Sequence, residues 1–573
     1  MELIVIGVLG VLAIAAASQA ASKVGVATPL LLVLLGIGVS IMPFVPDFEI
    51  KPEWILAGVL PPLLYSAAVS MPTMDFQRNF RAIAGLSVIL VVLSSVLLGL
   101  LFAWLIPGLD LAIGIALGAI VSPTDAVATS IVKKLGVSPR IVTVLEGESL
   151  LNDATALVLL RTAIAATATA VSFWGVIGQF AYAVAIAVVI GVVVGWANLR
   201  IRHRVKDATV NTAISFTIPF IASIPAEALG ASGLVAAVAA GLVTGSGAAR
   251  WLTPSHRLSD VQNWRTVELL LEGAVFLVMG LELSAILDDV SADGSRFAAS
   301  IGVAAIAFVA LVFIRAAFVV PLLYGLSRSA AKAARRREGL ASLQERLDGM
   351  QQAGTKTGDE IPRGPGGRMR SVSPEAAARF RERAVRFVAD VEYLQAAPLG
   401  VREGVVVVWA GMRGVVTLAA AQTLPQETPS RSMLVLIAFV VAAASLLIQG
   451  GTIAAVARRL GITGIAVNQE ERQRLSDELR VAAMSVVERE GIDMRALARS
   501  FSDDDDDQDV PTPQPDMERF RGIRLAMIEA QRSRLLDLQR AGTYSSGTLT
   551  WALESLDADQ ISIELRAPEN GSD

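Results

Sequence analysis

The chain has 573 residues, of which 53% are hydrophobic and only 18% charged, and its formal net charge is -4. Soluble domains average about 25% charged residues, so the mean hydropathy of +0.57 excludes an ordinary soluble protein. There is no cysteine, which excludes disulfides and cysteine-ligated metals. Histidine occurs only at His203 and His256, both beside arginine, which argues against a histidine-based metal site or catalytic triad.

Long apolar runs recur from residue 2 to about residue 460. Many reach the roughly 20 residues that a helix needs to cross a bilayer. The sequence therefore predicts an all-α polytopic membrane protein with thirteen transmembrane helices. With boundaries good to about four residues, they are 2–18, 28–46, 54–70, 81–106, 110–131, 142–168, 172–199, 208–225, 229–247, 265–287, 297–326, 401–423 and 431–459.

The first apolar run, residues 3–17, ends in a stretch typical of a signal-peptide cleavage site. Only Met1 and Glu2 precede it, so the basic region of a signal peptide is missing. We therefore expect this run to be retained as the first helix.

Basic residues alternate between the predicted loops. Loops on one side contain Lys23, Arg78, Arg81, Lys133, Lys134, Arg140, Arg200, Arg202, Arg204, Lys206, Arg250, Arg257, Arg265, Arg458 and Arg459, whereas loops on the other side contain little more than Lys51, Arg296 and Arg431. Because lysine and arginine favour cytoplasmic loops, the sequence predicts an outer N-terminus and a cytoplasmic C-terminal tail in the cell membrane.

Four regions follow from this pattern: helices 1 to 11 in residues 1–326, a basic cytoplasmic insert in 327–400, helices 12 and 13 in 401–460, and a polar helical tail in 461–573. The insert fits either a solvated loop that touches anionic lipid or a regulatory module. The acidic run at 503–507 is typical of a flexible linker, and a calcium site is a weaker alternative.

Residues 118–127 (GAIVSPTDAV) place polar groups inside the fifth apolar run. Proline removes a backbone donor and clashes with the preceding turn, so we expect the helix to break there. Freed carbonyls, together with Ser122, Thr124 and Asp125, are oxygen ligands suited to a hard cation. The alternative is a structural proline kink with a satisfied carboxylate.

Residues 146–153 (EGESLLND) place three carboxylates and an amide in the sixth run. An ionisable group inside a membrane costs roughly 2.5 to 3.5 kcal/mol on insertion scales and marks a functional site by default. Helical spacing puts Ser149 and Asp153 on one face with Asn152 beside them. A buried Asp153 could hold either a proton or a dehydrated cation.

The twelfth run contains a glycine-flanked arginine, Arg413. A buried arginine needs a partner, and Glu148, which is rotated away from the face of Asp153, is the predicted one. Further charges in apolar runs are Arg161, Glu268, Glu272 and Arg315.

Together these motifs resemble the monovalent cation/proton antiporters of the NhaP/NHE type. The resemblance spans residues 1–460 and lies in 118–127, 146–153, 232–241 (SGLVAAVAAG), 276–281 (FLVMGL) and 411–414 (GMRG). It implies thirteen helices with inverted repeats, a dimerisation domain, and a core in which the broken fifth and twelfth helices cross.

The implied activity is exchange of Na⁺, or of K⁺ or Li⁺, for H⁺ in pH homeostasis, without a resident cofactor or a nucleic-acid partner, by a homodimer in a lipid bilayer. The resemblance also implies roles for individual residues. The cation and proton site comprises Asp153, Asp125, Thr124, Ser149 and Asn152; Glu148 and Arg413 form a structural ion pair; and Arg315, Ser122 and Ser66 have supporting positions.

One position departs from the family pattern. Many relatives have a carboxylate after the aromatic residue of the third-helix Pro-Pro motif, whereas Tyr65 is followed here by Ser66. The cation preference therefore stays open, with Na⁺ expected and K⁺/H⁺ exchange as the alternative.

Two alternatives come from other classes. Asp125 and Asp153 lie on separate helices, as an intramembrane aspartyl protease requires, although its Gly-Xaa-Gly-Asp motif is missing. A cation channel with a regulatory tail is the other. Under the antiporter hypothesis exchange is electroneutral, because Asn152 stands where electrogenic relatives have a second aspartate.

Overall fold

The computed structural model describes residues 2–42, 51–168, 173–292, 297–352, 360–361, 370–371, 386–395, 398–464, 469–489 and 517–565. The predicted acidic linker at 503–507 lies outside these residues. Regular structure in the described residues is helical, except for the two-residue strands Glu360–Ile361 and Arg370–Ser371, which pair antiparallel with Glu360 opposite Ser371.

Most helices belong to a unit formed by Met1–Ser327 and Leu399–Ala466. Its first half contains α1 (Glu2–Val24), α2 (Thr28–Ser40), α3 (Leu60–Ser70), α4 (Thr73–Ala84), α5 (Val91–Leu105), α6 (Leu111–Val121), α7 (Val127–Lys134), α8 (Pro139–Ala168), α9 (Phe173–Arg202) and α10 (Ala208–Ala228). π-Helical turns at Trp54–Val59 and Gly85–Leu90 lead directly into α3 and α5.

The remaining helices of this unit are α11 (Gly233–Trp251), α12 (Pro254–Leu281), α13 (Leu283–Ala292), α14 (Phe297–Gln352, which continues beyond the unit), α15 (Val401–Trp409), α16 (Val415–Gln422), α17 (Arg431–Ser445) and α18 (Gly451–Arg459). A π-helical turn, Leu446–Gly450, joins α17 to α18.

Each of the thirteen predicted apolar segments overlaps these helices. Among the described residues, nine helices are long and apolar enough to span a membrane, and three apolar helices are shorter: Thr28–Ser40, Trp54–Ser70 and Leu111–Val121. The predicted membrane-spanning class is therefore confirmed, while the count of thirteen crossings and the inverted repeats stay predictions.

Several predicted boundaries were wrong by more than four residues. The fourth helix starts at Thr73 rather than at residue 81, because the polar first turns of α4 form an amphipathic extension of the span Thr73–Leu105. The tenth starts at Pro254 rather than at 265, since Pro254 occupies the first turn and the Thr253 hydroxyl accepts the backbone N–H of His256 at 3.4 Å.

Side-chain caps also position other helix starts. The carboxylate of Asp110 accepts the backbone N–H of Ala112 at 3.0 Å before α6, and Asp207 accepts that of Val210 at 2.8 Å before α10. Such caps satisfy N–H groups that have no partner within the first helical turn.

Small residues let the membrane helices approach one another closely. α11 packs against both α3 and α9. A Cβ atom at Gly241 would lie 2.6 Å from the carbonyl oxygen of Tyr65, so only glycine permits this approach to α3. Without a hydrophobic driving force between helices in lipid, close van der Waals contact of this kind stabilises their association.

A second unit comprises Arg328–Pro398 and Val467–Asp573. Within it, α19 (Gln469–Arg489), α20 (Met517–Ala541) and α21 (Ser546–Leu565) pack together around buried leucines such as Leu475, Leu535 and Leu556. The guanidinium of Arg532 bonds to Asp557 of α21 at 3.2 Å. Polar outer faces and an apolar centre are the pattern of a water-exposed helical bundle.

Candidate cation site at two helix breaks

The first break separates α6 from α7. Residues 122–126 are not helical, as the position of Pro123 predicted. The side chain of Asp125 then accepts the backbone N–H of Val127 at 2.9 Å, in the first turn of α7. A carboxylate at this end of a helix also interacts favourably with the helix dipole.

The second break separates α15 from α16 at residues 410–414. A Cβ atom on Gly414 would overlap the carboxylate of Asp125, and one on Gly411 would lie 2.7 Å from Cδ of Arg315. A side chain at Gly414 or Gly411 would therefore force Asp125 or Arg315 to move.

The two breaks lie against each other. The backbone N–H of Asp125 donates to the carbonyl oxygen of Met412 at 2.8 Å, and Nε of Arg413 donates to the carbonyl oxygen of Val121 at 3.0 Å. Irregular backbone at membrane depth is tolerated where protein satisfies its polar groups, and these bonds do so.

Asn152 joins α8 to the first break. Its amide nitrogen donates to both the carbonyl oxygen and the hydroxyl oxygen of Thr124, each at 2.9 Å. Thr124 in turn donates to Glu148 Oε1 at 3.1 Å. Asn152 is fully buried, and its Oδ1 accepts no hydrogen bond from the described residues.

The predicted ion pair between Glu148 and Arg413 was wrong in its basic partner. Glu148 pairs with Arg315, through Nη1 to Oε1 at 2.5 Å and Nη2 to Oε2 at 2.7 Å. Nε of Arg315 also donates to the carbonyl oxygen of Val407 at 2.9 Å. A bidentate pair, with Nε bonded as well, is the geometry in which arginine compensates the desolvation of a buried carboxylate.

Arg413 binds backbone instead of a carboxylate. Besides Val121, its guanidinium contacts the carbonyl oxygen of Gly411, and its own N–H donates to the Ser445 hydroxyl at 2.8 Å. The last carbonyls of a helix lack partners and bear partial negative charge, so the end of α6 is a natural site for a cationic side chain. This explains how Arg413 is buried although no carboxylate of the described residues lies within ion-pair distance of it.

Asp153 differs from its neighbours. Its side chain is 8% exposed, and among the described residues it makes no hydrogen bond or ion pair. Asp125 is close enough for the two carboxylates to repel each other. An unpaired carboxylate in such a position is costly unless a positive charge or a proton joins it.

The structure separates the predicted hydroxyl groups. Ser149, which is buried, donates to the carbonyl oxygen of Glu146 at 3.4 Å within its own helix. Ser122 turns toward α5, where its hydroxyl contacts that of Ser94, and Ser66 donates to Glu268 of α12. The structure thus brings together the side chains of Asp125, Thr124, Asn152, Glu148, Arg315 and Arg413. Ser122 lines a small cavity with Glu148, Arg315 and Arg413, whereas Ser66 bonds to α12.

Sequence reasoning missed two features of this region. The Ser445 hydroxyl accepts a hydrogen bond from the backbone N–H of Arg413, but Ser445 lies in an apolar run with no distinguishing pattern. Glu268 and Glu272 were noted as charges in an apolar run, yet their spacing alone did not connect them with Ser66 or Asp125.

Residues 9–342 and 383–459 match the family described as sodium/hydrogen exchanger, transmembrane. The chain belongs to the sodium/hydrogen exchanger family. The resemblance predicted from the motifs is therefore confirmed at the level of the family, whose members are transporters, and this argues against the protease alternative.

Two relatives illustrate the similarity. An uncharacterized Na⁺/H⁺ exchanger of Escherichia coli is 36% identical over 269 residues, which are 45% of this chain and 49% of the relative. A sodium, potassium, lithium and rubidium/H⁺ antiporter of Bacillus subtilis is 31% identical over 44% of this chain and 39% of its own length. This chain thus spans about half or less of the length of these two exchangers.

The sodium proton antiporter MjNhaP1 of Methanocaldococcus jannaschii has a similar fold. Its structure covers 80% of this chain and 98% of its own, with a TM-score of 0.56 at 16% identity. At this identity the likeness concerns the fold alone. It confirms the predicted fold class for this chain.

Proposed function

We propose that this exchanger family member is an antiporter that moves one Na⁺ and one H⁺ in opposite directions, with both ions binding in turn at Asp153. The observation that carries the proposal is the buried Asp153 carboxylate beside two helix breaks, which has no bonded partner in the part of the chain that the structure describes. Because burial penalises an uncompensated charge, the side chain favours either a bound cation or a proton. Competition between the two couples their movements.

Asp125, Thr124 and Ser149 are the proposed additional cation ligands, with Asn152 as the group that positions Thr124. The Asn152 amide donates two hydrogen bonds to Thr124 and does not ionise, so it positions the first break without carrying a charge. Oxygen atoms of carboxylates, hydroxyls and carbonyls are the ligands that alkali cations take at such broken helices.

The proposed exchange is electroneutral. If Asp153 carries one proton in one direction and one monovalent cation in the other, no net charge crosses. Membrane potential, worth about 2.3 kcal/mol per charge per 100 mV, then leaves the equilibrium unchanged. The gradients of the cation and of H⁺ alone set the direction.

K⁺ is the second candidate cation. Ser66 replaces a carboxylate in the pattern that the motifs resemble, and the Bacillus subtilis relative is named for four alkali cations. A site with fewer fixed charges compensates less of a small cation's dehydration, which reduces the advantage of Na⁺ over K⁺.

The proposed setting is the cell membrane, with the N-terminus outside, the tail in the cytoplasm, and a homodimer as the assembly. The distribution of basic loops supports the orientation. Three exposed tryptophans, Trp54, Trp104 and Trp174, lie at helix ends that this topology assigns to the outer surface. Tryptophan is enriched at membrane interfaces, which agrees with these assignments.

The decisive experiment is dye-reported H⁺ flux in sealed proteoliposomes with Na⁺, K⁺ and Li⁺ tested in turn. The parent protein should show saturable exchange, and Asp153→Asn, which keeps the shape of the side chain, should show none. A valinomycin-imposed potential should leave the exchange equilibrium unchanged. Normal exchange by Asp153→Asn would refute the shared-carboxylate mechanism, and a cation current without H⁺ coupling would indicate a channel.

A further inference from the structure

A carboxylate from α12 lies against the position where the third helix lacks one. The hydroxyl of Ser66, on α3, donates to Glu268 Oε1. Glu268 is half-buried and forms no ion pair with any lysine or arginine among the described residues. A negative charge kept in a membrane helix without a basic partner is expensive, which indicates a function.

Glu268 is connected to the helix breaks through Glu272. These two side chains are one helical turn apart on α12, where residues four positions apart share a face. Glu272 is also half-buried, and α12 packs against α16, which begins directly after Gly414, the glycine that lies against Asp125. The carboxyl groups of Glu268 and Glu272 thus lie on a helix that packs against both α3, which contains Ser66, and α16, which follows the second break.

An independent feature, the Asp153 carboxylate, points to a positively charged ligand. Asp153 is 8% exposed, has no bonded partner among the described residues, and is repelled by Asp125. A cation that reaches Asp153 would satisfy a carboxylate that the protein leaves unpaired. Asp153 is therefore a buried group that lacks its counter-charge among the described residues.

We propose that Glu268, oriented by Ser66, is a specificity-determining carboxylate on the path of the alkali cation to Asp125 and Asp153. It supplies from α12 the charge that the family pattern places at position 66 of α3. The inference rests on the proposed antiport. A partly buried carboxylate attracts a cation and compensates part of its dehydration, so Glu268 acts on cation affinity more than on the proton-binding step.

The test uses the full-length protein in proteoliposomes. Glu268→Gln should raise the apparent KM for Na⁺ roughly three- to tenfold, as expected for one partly screened charge near the path, with little change in maximal rate. Glu268→Asp should restore much of the affinity. The double variant Ser66→Glu/Glu268→Ser, which moves the carboxylate from α12 to α3, should also recover the affinity for Na⁺. Glu427→Gln, which changes an exposed loop carboxylate, should behave like the parent.

A binding measurement separates the possible failures. Na⁺-dependent thermal stabilisation of the purified variants should show the same loss and recovery of affinity. If the parent exchanges ions and Glu268→Gln retains the parental KM, the inference is overturned. The inference is also overturned if Glu268→Gln lowers only the maximal rate and the double variant Ser66→Glu/Glu268→Ser does not restore that rate, because this outcome indicates a structural role. Absence of exchange by the parent would instead refute the proposed antiport.

Discussion

The backbone N–H of Asp125 donates to the carbonyl oxygen of Met412 at 2.8 Å, so the two helix breaks are bonded to each other through their main chains. The Asp125 side chain is directed to the start of α7, and its second oxygen lies where a side chain at Gly414 would be. The carboxylate is therefore positioned by both interrupted helices, and a displacement of either should change cation binding.

The first prediction concerns Gly414. Gly414→Ala adds a Cβ atom that overlaps the Asp125 carboxylate, so this side chain must move. We expect the apparent affinity for the transported cation to fall roughly tenfold, which corresponds to about 1.4 kcal/mol. Exchange kinetics in proteoliposomes measure it. Gly451→Ala is the matched control, because a Cβ atom there meets no atom within 4 Å; equal kinetics for the two variants would contradict the described contact.

The second prediction distinguishes the two possible partners of Glu148. Removal of one member of a buried ion pair costs about 3 to 5 kcal/mol, so Arg315→Gln should lower the thermal unfolding temperature in detergent. In double-mutant cycles with Glu148→Gln, Arg315 should show a larger coupling energy than Arg413. Arg161→Gln, which breaks an exposed pair with Glu227 at 3.7 Å, should cost only about 0 to 1 kcal/mol. A larger coupling energy between Glu148 and Arg413 would instead support Arg413, the partner predicted from the sequence.

The third prediction concerns Ser445. Its hydroxyl accepts the backbone N–H of Arg413 at 2.8 Å, so Ser445→Ala leaves a buried donor without that partner. The expected loss of stability is about 1 to 3 kcal/mol. Ser246→Ala is a suitable control, since Ser246 and Ser445 both donate to the carbonyl three residues earlier, but Ser246 is exposed. Thermal unfolding compares the two variants, and equal losses would exclude a special role for the Arg413 contact.

The fourth prediction concerns pH and the tail. Burial, together with the hydrogen bond that Tyr544 donates to Glu478 at 2.8 Å, raises the pKa of Tyr544 from 10.0 to about 12. The neutral form therefore favours the folded tail: its contribution is complete below pH 10 and is lost as the pH rises through about 12. The tyrosinate absorbance of the parent minus that of Tyr544→Phe should titrate near 12. A midpoint near 10 would show that the bond is absent.

The residues alone predicted the helical membrane class, thirteen apolar segments that each overlap a helix, and the break at Pro123. The break beside Arg413 was implied only by the family resemblance. The features predicted from the residues depend on local chemistry, namely apolar run length and the missing N–H of Pro123. The sequence also named most of the residues that meet at the breaks, because a polar group in an apolar run is conspicuous wherever it lies.

Partner choice depended on the tertiary structure. Glu148 could have paired with Arg413 or Arg315, and only the packed helices show that Arg315 reaches both carboxylate oxygens while the carbonyls of Val121 and Gly411 receive Arg413. Likewise, Ser66 and Glu268 are 202 positions apart, and their contact is a product of how α3 and α12 pack. Sequence spacing determines which residues share a face of one helix, whereas contacts between helices arise from the three-dimensional fit of their surfaces.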